Sequence, residues 1–580
     1  MLIRFIRREK IAAGYALLLV LIFMGISFVI LAGSMRWTSG SALQTGRNNQ
    51  YNTTVSAAEA ATEAVIAQMA RDFQNQGVNT NLDIYAAVTP STVLPGSWAD
   101  QYAFSDGRGN PNKIYVTNTA PPMVTNLNSE FAGLYGFVNS FRVIANAAEK
   151  DAPYAIAAGV NQDFQLAAIP IFQFAIFYAI DLEINPGPVM AVTGKVHGNS
   201  DLYIAPQSGL TFMDSVTSVG KTVHDRHPQD PMYGSHKVTP VYNGGKPQQV
   251  GALTLPIGTN NTPAEVRRIL DVPPVDEHPK SLMGKQRYYN KCDLLVDVSD
   301  GGVSVKTGLW SGFGAVPPNT TNGYSWVKTN ASFLDHRENK WTVTTDIDVL
   351  ALTSWMASAG ASINANCESM TSRKINSVYV QDRRVRAGKH TVVRVINGRD
   401  LPPHGLTVAT RQPIYVKGHF NAPSPGSADT SATRPASLVG DAITVLSEAW
   451  ADANSNKPFS QRMAAPTTVN AAFLAGIVKT TTSSGVRKYS GGVENFPRFL
   501  EDWTDRTFTY NGSLVVMYES QFATSFWPGT GGGPGVYDPP VRKWAFDRNF
   551  LDYNRLPPET PQVQKLFRGA WNVIAANEVF

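Results

Sequence analysis

The sequence predicts an α+β protein that is mostly β: a long amino-terminal helix with a transmembrane segment and a small sheet, followed by a large β-rich domain. Three observations predict this fold class. Residues 11–33 contain no charged side chain, residues 51–73 carry apolar residues at helical spacing, and the 580-residue chain holds 47 glycines and 37 prolines. A chain of this length accommodates two or three soluble units or one elongated unit.

Composition argues against two classes of protein. The net charge is only +5, with 43% hydrophobic and 16% charged residues, so nothing points to nucleic-acid binding or to disorder. Much of the positive charge lies in the leader, residues 1–14. The many Gly, Pro, Asn, Ser and Thr residues are typical of a turn-rich β protein.

The leader and the apolar run predict a single membrane span. The leader contains Arg4, Arg7, Arg8 and Lys10. The run at residues 11–33 is long enough for the roughly 30 Å core of a bilayer. Positive charge ahead of the span predicts a cytoplasmic amino terminus and a body in the periplasm. A cleaved signal peptide is the alternative, but its apolar region is usually only about 7 to 15 residues long.

The helix is predicted to continue well beyond the span. Apolar residues recur at steps of three and four, at Tyr51, Val55, Ala58, Ala61, Val65, Met69 and Phe73. This spacing places them on one face of a helix, and Gly77 is the predicted stop. Residues 15–76 then form a rod of roughly 90 Å, half in lipid and half against a soluble domain.

The amino terminus resembles that of type IV pilin-like proteins, and within them the PilX type of minor pilin. The resemblance rests on a short basic leader ending at Gly14, the aromatic Tyr15, the apolar segment and the sequence AAEAATEA at residues 57–64. It implies that a prepilin peptidase cuts between Gly14 and Tyr15. It also implies that the exposed helix packs among other pilin or pseudopilin subunits in a filament.

Two positions depart from the common pilin pattern. Tyr15 stands where most pilins have Phe or Met, and Leu19 stands where most have glutamate as the fifth mature residue. PilX-like subunits and the tip pseudopilin of type II secretion often lack that glutamate, so the resemblance favours a tip or priming subunit. An uncut signal anchor is the alternative. Segments such as residues 171–190 and 405–421 extend the resemblance over most of the chain.

Residues 78–184 are predicted to form the small pilin-like sheet. Short strands are expected at 113–117 and 141–145. A second membrane helix at 166–180 is the alternative for the next apolar stretch. Pro170 and the flanking acids leave that stretch shorter than the roughly 20 residues of a span, so buried strands are expected instead.

A β-solenoid-like body is predicted for residues 185–222 and 401–525. Strands of three to five residues separated by Gly, Asn or Ser are typical of solenoid coils. A plain meander is the alternative, because no fixed repeat length is evident.

The remaining segments are predicted as additions to that body. Residues 223–400 are interpreted as an insertion with a strand pair at 294–308 and a short helix at 347–359. Residues 526–580 are interpreted as a Gly- and Pro-rich carboxy-terminal strap that lies on the body through apolar residues such as Trp544 and Phe546.

Candidate sites for chemistry are few. A cluster at residues 224–227, His-Asp-Arg-His with His236 nearby, contains ligand-like side chains, but it lacks a recognised spacing, so a solvated loop is favoured over a metal site. Asp346 and Asp348 precede the short helix, which capping explains. No metal, cofactor-binding or catalytic residues are predicted.

Two further sets of residues leave alternatives open. Cys292 and Cys367 are the only cysteines; one disulfide or two buried free thiols are both compatible with an oxidising compartment. Acid pairs occur at Asp181 with Glu183 and at Glu501 with Asp502. Such pairs serve glycoside cleavage when their separation is right, but they also occur by chance.

The sequence therefore predicts a minor pilin- or pseudopilin-like subunit, held in the membrane and then in a filament, that displays a large β domain and needs no cofactor. The alternatives are a membrane-anchored periplasmic β-helix enzyme acting on polysaccharide and an anchored adhesin with a surface ligand. An anchored enzyme predicts an intact leader and a cleft with clustered acids.

Overall fold

A computed structural model describes residues 13–127, 131–235, 238–321 and 323–576. The leader up to residue 12 and His236 lie outside the described residues. In the described part, a long apolar helix precedes a large β-rich domain built from several sheets.

The first helix, α1, runs over Ala13–Gln76, 64 residues. At 1.5 Å per residue its length is about 95 Å. It ends where predicted, because Gly77 adopts a positive φ of 83° and donates its backbone N–H to the carbonyl of Phe73. Glycine takes this left-handed conformation without the steric cost of a Cβ.

A small antiparallel sheet follows the helix. Its region contains α2 (Asp83–Ala86), α3 (Pro90–Val93), β1 (Tyr102–Ser105), β2 (Tyr115–Asn126), β3 (Tyr135–Glu149) and β4 (Ala157–Pro170). β3 is central: β1, β2 and β4 all pair with it. The strands predicted at 113–117 and 141–145 fall at β2 and β3, which are longer than predicted. The second membrane helix at 166–180 is not formed, since strand β4 covers its beginning.

The next segment consists of very short strands. They are β5 (Ile176–Tyr178), β6 (Leu182–Ile184), β7 (Met190–Val192), β8 (Val196–Gly198), β9 (Leu202–Ile204), β10 (Leu210–Phe212), β11 (Val216–Ser218), β12 (Thr222–Val223), β13 (Val241–Tyr242) and β14 (Gln248–Gln249). All pair in parallel. Ile176, Val196 and Val216 are neighbours across β5, β8 and β11, so the chain returns to the same position at an even spacing in sequence.

The middle of the chain mixes short helices with strands. It contains α4 (Pro263–Arg267), α5 (Leu282–Gln286), α6 (Tyr288–Lys291), β15 (Leu294–Ser299), β16 (Gly302–Thr307), β17 (Ala315–Val316), β18 (Val327–Lys328), β19 (Leu334–Asp335), β20 (Lys340–Asp348), α7 (Val349–Met356), α8 (Ala361–Thr371), β21 (Ser377–Asp382) and β22 (Lys389–Ile396). β15 and β16 form the strand pair predicted at 294–308. α7 is the helix predicted at 347–359, and it begins slightly later and ends slightly earlier than predicted.

The last part of the chain is again β. It contains β23 (Leu406–Thr410), β24 (Ile414–Lys417), β25 (Ala436–Gly440), β26 (Ile443–Leu446), β27 (Thr467–Ile477), β28 (Thr481–Ser483), β29 (Val486–Lys488), β30 (Arg498–Phe499), β31 (Thr507–Glu519), β32 (Val541–Phe546) and β33 (Gln562–Ile574).

One 13-stranded sheet joins the early and late strands. Its order includes β14-β11-β8-β5-β31-β27-β25-β23-β21-β15, so the late strand β31 pairs with the early strand β5. Parallel registry aligns apolar residues along this sheet: Leu294, Val378, Val408, Leu438, Phe473, Leu514, Ile176, Val196 and Val216. Each of these side chains is at most 3% exposed. They form a continuous core along the domain.

Three asparagines connect strands β27 and β31 with the loop that follows β24. The side-chain amide of Asn421 donates to the Asn470 carbonyl (2.8 Å), and that of Asn470 donates to the Asn421 carbonyl (2.7 Å). Asn511 donates to the side chain of Asn470 (2.8 Å). All three are at most 3% exposed, so the ladder satisfies polar groups that would otherwise be buried at a cost.

Two segments are more closely integrated into the sheets than the sequence indicated. Strands β15 and β21, from the segment interpreted as an insertion, belong to the 13-stranded sheet. The carboxy-terminal segment interpreted as a strap supplies two strands. β32, which carries Trp544 and Phe546, pairs with β31, and β33 pairs with β4 of the small sheet.

Candidate functional site: the exposed helix and the sheet that holds it

The first half of α1 is an exposed apolar surface. Every side chain from Tyr15 to Thr45 is exposed, including Leu19 at 52% and Trp37 at 78%. This part of the helix is long and apolar enough to cross a membrane, and none of it is buried against the rest of the described chain. A water-soluble protein does not leave an apolar surface of this size without a partner. The helix is compatible with single-pass membrane anchoring.

The second half of α1 packs on the small sheet. Ala58, Ala61 and Val65 are fully buried, and they pack with Phe141 and Phe164 of β3 and β4 in one apolar cluster. Two alanines at this spacing let the helix backbone approach the sheet closely. The predicted stripe is therefore confirmed from Val55 onward, whereas its first residue, Tyr51, remains 42% exposed.

Polar contacts fix the rotation of the helix against the sheet. The Thr62 hydroxyl donates to the Gln162 side-chain carbonyl (2.9 Å), and the Gln162 amide donates to Glu63 (3.0 Å). Glu63 also forms an ion pair with Arg568 of β33. Nearer the exposed half of the helix, the Gln50 amide donates to the Tyr154 carbonyl (2.7 Å). These contacts hold the second half of α1 on the sheet, and the exposed first half belongs to the same continuous helix.

The contacts of Thr62 and Glu63 with Gln162 and Arg568, called the clamp below, were not predicted from the sequence. Strand β33, which carries Arg568, was not predicted either. Gln162 and Arg568 lie far from Glu63 in sequence, so no local pattern joins them. The only available signal was that Thr62 and Glu63 interrupt the alanine-rich stretch at the edge of the apolar stripe.

The residues expected at a processing site lie in the first turn of α1. Helix α1 begins at Ala13, so the bond between Gly14 and Tyr15 is within helical backbone, and Tyr15 is 77% exposed. The processing itself stays a prediction.

The two cysteines are free thiols, each fully buried. The Cys367 thiol points to the Asp293 carboxylate (3.8 Å). Burial raises the pKa of Cys367 to about 11 and that of Cys292 well above its usual value, so both stay protonated and unreactive at neutral pH. Of the two alternatives, the structure describes two buried thiols and not a disulfide.

The cluster at 224–227 is less solvated than expected. Arg226 is 5% exposed and forms a buried ion pair with Asp230 (3.0 Å). His227 Nε2 lies 3.6 Å from Asp181 Oδ2. Within the described ranges no group of three His, Cys, Asp or Glu side chains is arranged to hold a metal ion.

The acidic residues singled out in the sequence have structural partners. Asp348 caps α7 by accepting the Ala351 backbone N–H (3.1 Å), and Asp346 pairs with Arg394 (2.7 Å). Glu501 is 1% exposed and accepts hydrogen bonds from the backbone and hydroxyl of Ser447 (both 2.6 Å). Burial raises its pKa to about 7. These carboxyl groups therefore connect neighbouring elements of the fold.

Asp181 and Glu183 line a cavity of about 290 Å³ beside His227. Burial raises the pKa of Glu183 to about 7, although the hydroxyls of Thr480 and Ser490 donate to it. Burial also tends to raise the pKa of Asp181, but the nearby His227 ring and the hydrogen bond from the Ser200 hydroxyl outweigh burial and lower it. The sequence identified the pair but not this difference between its members.

No protein-family model matches the sequence, and no curated protein matches it. Among solved structures, the competence-associated pilin ComZ from Thermus thermophilus aligns over 90% of this chain and 97% of its own. The sequence identity is 11% and the TM-score 0.28.

Proposed function

We propose that this protein is a minor pilin- or pseudopilin-like subunit of a type IV pilus or type II secretion-like filament that displays a large β domain. The observation that carries the proposal is the division of α1. Its first half is apolar and fully exposed, and its second half is clamped to a small sheet. A helix of this kind needs two surroundings in turn: lipid before assembly and neighbouring subunit helices afterwards.

The mechanism is one of assembly. In the membrane, the apolar half of α1 lies among lipid chains, with the amino terminus in the cytoplasm and the body in the periplasm. During assembly the same surface packs against apolar helices of other subunits, so little apolar area is exposed to water at any stage. The rigid junction at Thr62, Glu63 and Gln162 transmits the position of the helix to the body.

A special position in the filament is part of the proposal. The fifth residue after Gly14 is Leu19, which is apolar and exposed, where most pilins have a glutamate. A subunit at the tip has no preceding subunit whose amino terminus needs a carboxylate partner. We therefore propose a tip or priming role, after cleavage by a prepilin peptidase.

We further propose that the displayed body is a β-solenoid. Three features support this interpretation: parallel pairing of very short strands, the even spacing in sequence of the paired residues Ile176, Val196 and Val216, and an asparagine ladder through Asn470. Each coil would bury its apolar side chains on the coils above and below it.

An anchored enzyme acting on polysaccharide is the second candidate. It is favoured by one observation, the opposite pKa shifts of Asp181 and Glu183 in a shared cavity. One ionised and one protonated carboxyl group is the arrangement that glycoside cleavage uses. An enzyme of this kind would keep its leader and stay in the membrane.

Shearing of surface filaments from cells tests the filament proposal. We expect the chain in the sheared fraction of cells with an active prepilin peptidase and its absence from that fraction in cells lacking the peptidase. An unrelated single-pass inner-membrane protein is the control for membrane contamination. A chain that stays in the inner membrane of both strains would contradict the proposal.

A further inference from the structure

We propose that a cleft in the β domain binds an oligosaccharide that carries carboxylate groups. The cleft has a volume of about 810 Å³, within the range of ligand sites in proteins. The turn at residues 186–191 and the segment at 538–544, which leads into β32, form its sides. The proposal concerns the body alone and does not depend on how the helix is anchored.

Prolines make the walls of the cleft stiff. Pro186 and Pro188 lie on one side, and Pro539 and Pro540 on the other. Each proline has a fixed φ and loses little conformational entropy when a ligand binds. The cleft is therefore shaped before the ligand arrives, which favours binding of a ligand with many weak contacts.

Trp544 offers an aromatic surface in this cleft. Its ring is half-buried and lies edge-on to Tyr510, with ring centroids 6.0 Å apart. A fixed indole ring presents a broad apolar face, and the face of a sugar ring, which consists of C–H groups, packs well on it. The indole Nε1 is buried and has no hydrogen-bond partner among the residues that the structure describes.

Arg542 lies next to this ring, and no carboxylate among the described residues lies within ion-pair distance of it. Its guanidinium carbon is 5.7 Å from the Trp544 ring centroid, its Nη2 donates to the Asn495 side chain (3.0 Å), and its Nε is buried without a partner. Among the described residues, no carboxylate forms an ion pair with the guanidinium. Burial lowers the pKa of Arg542, although the charges of Tyr537 and Glu494 act in the opposite direction. A desolvated cation of this kind favours an anionic ligand.

The carboxyl group of Glu494 attracts the guanidinium of Arg542 but forms no ion pair with it. Glu494 also lines the cleft, but its oxygens accept hydrogen bonds from the Asn185 backbone (3.2 Å) and the Tyr489 hydroxyl (3.1 Å). Burial raises its pKa, so its negative charge is disfavoured. The carboxylate that satisfies Arg542 would therefore come from a ligand.

The remaining polar groups distinguish a saccharide from a fatty acid. Lys543 donates hydrogen bonds, while the carboxylates of Asp505 and Asp538 accept them. Sugar hydroxyls do both, so a chain of sugars can satisfy all three side chains. The alkyl chain of a fatty acid would remove the same groups from water without a partner.

Calorimetric titration of the full chain in detergent micelles tests the proposal. The probes are an oligogalacturonate, a chain of sugars that each carry a carboxylate, and a neutral oligogalactose of equal length. We expect binding of the oligogalacturonate only. Trp544→Ala and Arg542→Gln are each expected to raise its Kd by about tenfold or more, because each removes a central contact.

Three variants make the titration decisive. Trp341→Ala removes a tryptophan that is 42% exposed on β20, in a different sheet, and it should bind like the wild type. Trp544→Tyr, which keeps an aromatic face, should restore most of the affinity. If Arg542→Gln is misfolded by circular dichroism, Lys543→Gln, on an exposed side chain, replaces it and should raise the Kd severalfold. Absence of binding at millimolar oligogalacturonate, equal binding of the neutral chain, or unchanged affinity in the cleft variants would overturn the proposal.

Discussion

The double variant Leu21→Arg with Met24→Arg is expected to leave the membrane fraction. Both side chains are at least half exposed on α1 within the apolar run, at 59% and 50%. An arginine near the centre of a transmembrane helix costs roughly 3 kcal/mol, so two cost about 6 kcal/mol. That is about four orders of magnitude in the partition between membrane and water. The measurement is the fraction of chain that resists alkaline carbonate extraction.

A matched variant separates loss of anchoring from a general effect of charge. Ser39→Arg with Leu43→Arg adds the same two charges to exposed positions on the same helix, beyond the apolar run. It should stay in the membrane fraction like the wild type. If the Leu21 and Met24 variant also stays there, the exposed half of α1 is not the membrane anchor.

Removal of β33 is expected to have the largest effect on stability. A chain that ends at Pro561 loses the strand that pairs with β4 from Pro170 to Gly159. It also loses Val563, fully buried, and Phe567, 8% exposed. Loss of these two side chains alone costs about 5 kcal/mol, a large part of the stability of an ordinary domain. The Glu63 side chain loses its partner Arg568 as well.

Limited proteolysis and thermal unfolding of the full chain and the shortened chain measure this effect. We expect the shortened chain to be cleaved rapidly within α1 and the small sheet, and to unfold at a lower temperature. A chain that ends at Ala576 keeps β33 and serves as the control. Equal resistance of the two shortened chains would show that the carboxy terminus does not hold the helix in place.

The amino-terminal helix could be predicted from the sequence because its signals are local. A run without charge, a stripe at steps of three and four, and Gly77 at the end each act within a short stretch of chain. The packing of Ala58 and Ala61 on the sheet follows from the same pattern. By contrast, the clamp through Gln162 and Arg568 depends on strands that are distant in sequence, and no periodicity reveals it.

The short strands illustrate the same difference. Strands of three to five residues were predicted within residues 185–222 from the turn residues between them, and the structure has such strands at Met190–Val192, Leu202–Ile204 and Leu210–Phe212. The even spacing of Ile176, Val196 and Val216 was missed, since the alignment holds for only three strands and the side chains vary between them. The pairing of β31 with β5 could not be predicted from the sequence, because the register between strands so distant in sequence leaves no local pattern.

The candidate sites show what burial adds to a list of residue types. Glu183 and Glu501 were recognised as members of acid pairs, but their raised pKa values come from side chains that cover them in the fold. Arg542 drew no attention in the sequence. Only the fold places it beside Trp544, with no ion pair to a carboxylate among the described residues.

The amino-terminal sequence of the membrane-extracted native chain, with its intact mass, tests the central claim most directly. The comparison is between cells with and without an active prepilin peptidase. A pilin-like subunit predicts a chain that begins at Tyr15 when the peptidase is active and at Met1 when it is absent. A chain that keeps residues 1–14 in both strains would contradict filament incorporation and leave an anchored enzyme or adhesin as the explanation for the exposed helix.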